Sequence, residues 1–189
     1  MTRRPIIPVL LAVSVAYPAT PPAAEAPPTV RKVQHLLATL PREHISFRLW
    51  ENEINDYLRY SLKTTPRPGI QSMTVKVFPN NYISTFVVVD FDALERWKPG
   101  AIPALLRPVL SGKESVWVDY RFHVANGRLT FSVEKAYYDK IRLPAFFVME
   151  AIRVVAARQP EKYDTSKPLP LPFGLKQLST EIHAIDGRN

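Results

Sequence analysis

Apolar residues recur along this chain at two spacings, and the spacing changes from segment to segment. In "VRKVQHLLATL", Val30, Val33, Leu36, Leu37 and Leu40 fall at helical spacing and Pro41 ends the run. This predicts a short amphipathic helix, free to dock on the domain or on a membrane. "HISFRL" alternates Ile45, Phe47 and Leu49 as a brief strand. "WENEINDYLRYSLK" returns to helical spacing, with Ile54, Tyr57, Leu58, Ser61 and Leu62 on one face and Glu51 and Glu53 in the first turn, where carboxylates favour the helix dipole.

The middle of the chain alternates, and predicts two hairpins separated by a helical insert. In "GIQSMTVKVFPNNYISTFVVVDFD" the pair Asn80-Asn81 supplies left-handed turn residues. That turn sets Phe78 opposite Ile83 and Val75 opposite Phe86, so one face gathers Met73, Val75, Val77, Phe86 and Val88, and the other carries Ser72, Thr74, Lys76 and Thr85. Short helical pieces follow in "FDALERW" and "IPALLRPVLSG". In "ESVWVDYRFHVANGRLTFSVEKAY" the dipeptide Asn126-Gly127 signals a type I′ turn. Val118, Tyr120, Phe122 and Val124 then face Leu129, Phe131 and Val133, while Asp119, Arg121 and His123 face Thr130, Ser132 and Glu134.

The stretch "LPAFFVMEAIRVVAARQP" predicts a helix from Leu143 to Gln159, opened by Pro144 and closed by Pro160. Between Ala145 and Ala157 only Glu150 and Arg153 are polar, so the helix is apolar nearly all round. It falls well short of the roughly 20 residues that span a bilayer, and is expected to be wrapped by its own chain, or by the chain together with an apolar ligand. "PLPLPFG" then runs extended and "LKQLSTEIHAI" provides a last strand. This order predicts an α+β fold in which a curved antiparallel meander sheet, a half-barrel, wraps around the long apolar helix.

Composition divides the chain. Arg3 and Arg4 precede "IIPVLLAVSVAYPA", and Ala24-Glu25-Ala26 offers a cleavage spacing, so residues 1–26 read as a signal peptide and the protein as exported to the periplasm or cell envelope. Residues 27–44 read as a tether with the short helix, and 45–189 as a single domain. Of 189 residues none is cysteine, which excludes disulfides and a lipid attached through cysteine. The net charge of +8 suits anionic phospholipid headgroups or other envelope polymers better than nucleic acid.

Catalytic chemistry finds little material. His35, His44, His123 and His183 are scattered without metal-ligand spacing, and six glycines make no phosphate-cradling loop or nucleophile elbow. Glu51, Glu53 and Asp56, and separately Asp119, Arg121, His123 and Glu134, are read as helix-stabilising and solvated-face residues. No metal, no cofactor and no enzymatic activity are expected. The aromatics Tyr120, Phe122, Phe131, Phe146 and Phe147 suit a core, but a curved sheet over one helix leaves part of such a surface as a groove. With Phe86, Val88 and Met149 they form the candidate ligand-binding set. Arg121, Arg128, Lys135, Lys140 and Arg142 cluster along the second hairpin and its exit, and form a candidate membrane-facing basic set.

Taken together, "ENEINDYL", "PGIQSMTVKVFPNNYISTFVVVDFDAL", the Asn-Gly hairpin leading into "RLPAFFVMEAI", and "LPLPFGLKQL" resemble bacterial cell-envelope families with a TULIP-like (tubular lipid-binding) half-barrel domain, over about Ser46 to Ile185. The resemblance implies a sheet around a long helix with an interior that holds acyl chains. The function expected is non-catalytic binding or shuttling of a lipid or other amphiphile in the envelope. The alternative is a scaffold with a filled core whose partner is another envelope protein, and an enzyme acting on envelope glycolipids comes third.

Overall fold

A computed structural model describes residues 26–40, 44–66, 68–97, 99–100, 102, 107–108, 110–149 and 167–189. The elements run α1 (Pro28–Thr39), β1 (Ser46–Trp50), α2 (Glu51–Thr64), β2 (Ile70–Phe78), β3 (Tyr82–Asp90), α3 (Phe91–Trp97), β4 (Lys113–Ala125), β5 (Arg128–Tyr138), β6 (Ile141–Arg142), β7 (Leu169–Pro170), β8 (Gln177–Glu181) and β9 (Ala184–Arg188). The fold is α+β. One sheet has the order β2-β3-β4-β5-β6 with β7 also on β5, and a second has the order β1-β9-β8. Every described pairing is antiparallel. Residues 145–149 are helical; the remainder of the helix predicted to Gln159, and all of the predicted signal segment except Ala26, lie outside the described residues.

The α1 helix docks on the domain. Val30, Val33 and Leu37 form a buried cluster with Ala26 and Tyr57, while Leu36 and Leu40 enter the main core. Thr29 Oγ1 donates to Asp56 on α2, and Asn189 Nδ2 donates to the Leu40 carbonyl, so both ends of the chain's described part are tied to this helix.

The role of "ENEINDYL" emerges from geometry. Four residues of helix rise about 6 Å and two residues of strand about 6.6 Å, so helix positions i and i+4 match strand positions j and j−2 when the two run antiparallel. On α2, Asn55 donates to the Val75 carbonyl and accepts from the Val75 N–H, both at 2.8 Å, and Glu51 Oε2 accepts from the Val77 N–H at 2.8 Å. The His183 N–H fills the remaining Val77 carbonyl at 3.1 Å. The open edge of β2 is thereby closed by side chains rather than by another strand. Ile54 and Leu58 turn into the main core. Glu53, buried, accepts from the Trp50 N–H and pairs with Lys32 at 2.6 Å. The first-turn carboxylates thus do more than favour the dipole.

Three registers differ from expectation. In the first hairpin Phe78 pairs with Tyr82, Val77 with Ile83 and Val75 with Thr85, one residue off the predicted alignment. Pro79 has no N–H for the ladder, so the strand ends at Phe78 and the loop grows to Pro79-Asn80-Asn81, with both asparagines left-handed (φ 63 and 58). A one-residue slip moves every side chain to the other face; Phe86 and Val88 therefore leave the inner face, and Thr85 enters it. In the second hairpin the predicted register holds from Ala125↔Arg128 to Tyr120↔Val133. Asn126 and Gly127 both take positive φ (51 and 68), as the type I′ turn requires. A bulge then sets Asp119 against Lys135 instead of Glu134. Finally, the single strand predicted in "LKQLSTEIHAI" is a hairpin: His183 turns left-handed (φ 58) and β9 continues through Arg188 to pair with both β8 and β1.

Candidate functional site

Register assigns each residue of the six-stranded sheet to a face. The inner face carries Met73, Val75 and Val77, then Ile83, Thr85, Val87 and Val89, then Val116, Val118, Tyr120, Phe122 and Val124, with Leu129, Phe131, Val133, Ala136 and Tyr138 from β5. Its two ends are packed differently. At one end Val75, Val77, Ile83, Tyr120, Phe122 and Leu129 form the main core with α1, α2 and the three-stranded sheet. At the other, Val89, Phe91, Ile102 and Tyr138 form a separate cluster, with Leu143 and Phe147 against it. Between them Met73, Thr85, Val87, Val116, Val118 and Val133 are only half-buried.

The candidate ligand-binding set is therefore divided. Tyr120 and Phe122 are core residues, and burial pushes the Tyr120 hydroxyl well above its ordinary range. Its oxygen lies 3.4 Å from Thr85 Oγ1, which keeps the phenol from being stranded. Phe131 borders the same core half-buried, Phe147 packs on the distal cluster, and Met149 is half-buried on the described helical turn. Phe146 is 65% exposed, its ring 4.4 Å from that of Phe147. Phe86 and Val88 stand on the opposite, outer face.

That outer face has a pattern that the sequence reading missed. Strand register lays its side chains in rows: Phe78, Tyr82, Arg121 and Ser132; then Lys76, Ser84, Asp119 and Lys135; then Thr74, Phe86, Trp117, Tyr137 and Arg142. Two aromatic rows flank a polar one. Phe86 meets Trp117 edge-to-face at 6.3 Å, and Phe78 meets Tyr82 at 5.6 Å. The Trp117 indole N–H donates to Asp119 at 2.6 Å, which fixes the ring and buries the carboxylate. Partial burial, then the neighbouring Asp119 carboxylate, push the Tyr82 hydroxyl up to about 12. Arg121 stacks over Tyr82, donates to the Asn80 carbonyl at 2.7 Å and faces Glu134 at 3.5 Å. The signal was present in "VWVDYRF", where Trp117, Asp119 and Arg121 alternate, but the register slip in the first hairpin concealed which aromatics joined them.

The basic set separates in the same way. Arg121, Lys135 and Arg142 share the outer face, whereas Arg128 at the hairpin tip donates to the Pro168 carbonyl at 2.6 Å and Lys140 sits in the turn after β5. Of the polar residues expected on this hairpin, Asp119 accepts from Trp117, Arg121 faces Glu134 and donates to the Asn80 carbonyl, and His123 stands opposite Thr130. Among the described residues no group of histidines and carboxylates is placed to hold a metal ion, and no helix is long and apolar enough to cross a membrane.

The three-stranded sheet presents an open depression of about 380 Å³ between Ser46, Arg48, Gln177, Ser179, Asp186 and Arg188. Arg48 grips Asp186 through two hydrogen bonds, at 2.7 and 2.6 Å, which holds that carboxyl below its ordinary range. The same guanidinium lies over Trp50 at 5.6 Å. Its charge is satisfied within the protein, so the depression reads as a polar surface rather than a site. No protein-family model, no curated protein and no solved structure matches this chain.

Proposed function

We propose that this is an exported, non-catalytic protein that binds or carries a lipid or other amphiphile in the periplasm or cell envelope. One observation carries the reading. The inner face of the six-stranded sheet is apolar but for Thr85 and the tyrosine hydroxyls, yet Met73, Thr85, Val87, Val116, Val118 and Val133 between its two buried clusters are only half-covered. An apolar seam with tightly packed ends and a looser middle is a place where an acyl chain gains contacts without displacing the core. Wrapping of the sheet around the helix predicted from Leu143 to Gln159, as in TULIP-like half-barrels, is part of the same proposal.

The test fills the seam. Val118→Trp should abolish uptake of a fluorescent fatty acid while leaving the melting temperature at or above that of the parent, and mass spectrometry of the purified chain should find a co-purifying amphiphile. Undiminished uptake in the filled variant, with no amphiphile recovered, would sink the idea. The packing of Tyr120 and Phe122 in the main core favours the other reading, a scaffold with a filled interior whose partner is an envelope protein. Capture of the same partner from lipid-depleted envelope fractions would select it.

A further inference from the structure

The outer face of the six-stranded sheet is a second surface, made of other residues. Phe78 and Phe86 are each 38% exposed and Trp117 is 42% exposed, and none of them, nor Tyr82 or Val88, belongs to any of the buried clusters. The two aromatic rows and the polar row between them also hold Lys76, Arg121, Lys135 and Arg142, against two carboxylates, one in register and one in the adjacent bulge. One carboxylate, Asp119, is buried beneath Trp117, and the other, Glu134, faces Arg121. Lys76, Lys135 and Arg142 are exposed and have no anionic partner among the described residues. What this face turns to solvent is thus aromatic and positively charged.

We propose that this face docks on an anionic lipid surface, with Trp117, Phe86 and Phe78 at the headgroup level and Lys76, Lys135 and Arg142 on the phosphates. The Trp117 ring, apolar with one polar end, partitions to that level, exposed phenylalanines beside it insert shallowly, and each nearby cation adds attraction to anionic headgroups. Ring geometry distinguishes this partner from an anionic polysaccharide. A sugar stacks on an open ring face, whereas the Trp117 and Phe86 rings stand edge-to-face and the Tyr82 face is covered by the Arg121 guanidinium. A bilayer interface requires only shallow insertion and charge. The surface is opposite to the inner seam, and the inference stands whether or not the seam holds a ligand.

The test uses the full chain with Trp50→Phe and Trp97→Phe, leaving Trp117 as the one tryptophan, excited selectively, and phosphatidylcholine vesicles with and without phosphatidylglycerol. With phosphatidylglycerol present, Trp117 emission should move to the blue and be quenched by brominated acyl chains, and salt should weaken binding. Lys76→Gln with Lys135→Gln should lower the partition coefficient about fivefold for each cation removed. Both lysines are exposed, so unchanged circular dichroism is expected of that variant, and Phe86→Ala should weaken binding at low and high salt alike. The apolar residues near the N-terminus are the same in every variant and cancel from the comparison. Vesicle binding with Trp117 unshifted and unquenched, wild-type partition of the double lysine variant, or unquenched binding to soluble anionic polysaccharide in preference to vesicles would each overturn the assignment. Fatty-acid uptake, read separately, reports only on the inner seam.

Discussion

Replacing Asn55 by alanine tests whether α2 closes the edge of β2. The side chain makes two hydrogen bonds to one residue, to both the N–H and the carbonyl of Val75 at 2.8 Å, and Val75 is fully buried. Alanine leaves a donor and an acceptor without partners. Each stranded group costs about 1–3 kcal/mol, and because Asn55 itself is half-buried, water admitted where the amide stood recovers part of this. The expected loss is therefore about 2–4 kcal/mol, a large share of the roughly 5–15 kcal/mol that stabilises a domain. Urea unfolding measures it, and amide exchange locates it, since protection of the Val75 N–H should fall further than that of Ile83 in the next strand. Asn52→Ala, at an exposed position of the same helix, serves as the control and should stay within about 0.5 kcal/mol of wild type. If Asn55→Ala matched that control and Val75 kept its protection, the edge-closing role assigned to this helix would be wrong.

Other substitutions probe the remaining elements. Gly69 has φ +89, and a Cβ there would lie 2.6 Å from Leu94 Cβ and 2.9 Å from the Asp90 carbonyl, so Gly69→Ala should cost at least about 2 kcal/mol and lower the melting temperature by about 4–8 °C. Phe147→Ala should cost about 1–3 kcal/mol through loss of its packing on the distal cluster, and Phe146→Ala, at an exposed ring, under about 1 kcal/mol; equal losses in urea melts would contradict the placement of the two rings. The folded-state hydroxyl of Tyr82 titrates near 12, above the unfolded value of about 10, so folding favours the neutral phenol. Its contribution is complete below about pH 10 and disappears as pH rises toward 12, so Tyr82→Phe should flatten the alkaline loss of stability across that window, followed by phenolate absorbance.

How far the sequence foretold this fold depends on whether a signal was local. Asn126-Gly127 specifies its hairpin because a two-residue loop with both φ positive admits few residues, and the alternation on either side then has only one register that puts Tyr120, Phe122, Leu129 and Phe131 on one face together. The face of α2 was equally clear, since Ile54, Tyr57 and Leu58 recur at helical spacing and all three are buried. Asn80-Asn81 resembles the same kind of turn, but the residue that decides the register is Pro79. The flanking run "TFVVVD" could not correct the error. Phe86 and Val88 on one face and Val87 and Val89 on the other are all apolar, so periodicity says nothing about which pair is inside. The β8–β9 turn was hidden for another reason: Ile182-His183 contains no glycine or asparagine, and His183 is held left-handed by its backbone bonds to Glu51 and Val77, each more than 100 residues away.

The same distinction explains what could be read of the candidate surfaces. A core position shows in the sequence as one side of a period, and Tyr120, Phe122 and Leu129 appeared there and are buried. A surface built across strands shows only when the registers of all of them are known. Phe78, Phe86 and Trp117 are separated by up to 39 positions, and they share a face because Phe78 pairs with Tyr82, Phe86 with Trp117 and Tyr82 with Arg121. Shift the first hairpin by one residue and Phe86 and Tyr82 turn inward while Phe78 stays outside, leaving Trp117 without its ring partner, which is how an aromatic and basic face came to be read as an ordinary solvated one. Hence the anionic-lipid proposal depends on Pro79 through the register it imposes. A variant that inserts one residue into the Pro79–Asn81 loop leaves the strands free to keep their present pairing, and should retain vesicle binding if the face is what binds. Pro79→Val instead would supply the missing N–H, favour the two-residue Asn80-Asn81 turn with position 79 against Tyr82, and force β2 to choose between a shifted pairing with β3 and the burial of Val75 and Val77 against α2. That variant should lose stability first and vesicle binding as a consequence, and unchanged stability with the outer aromatics still exposed would refute the part given to the proline.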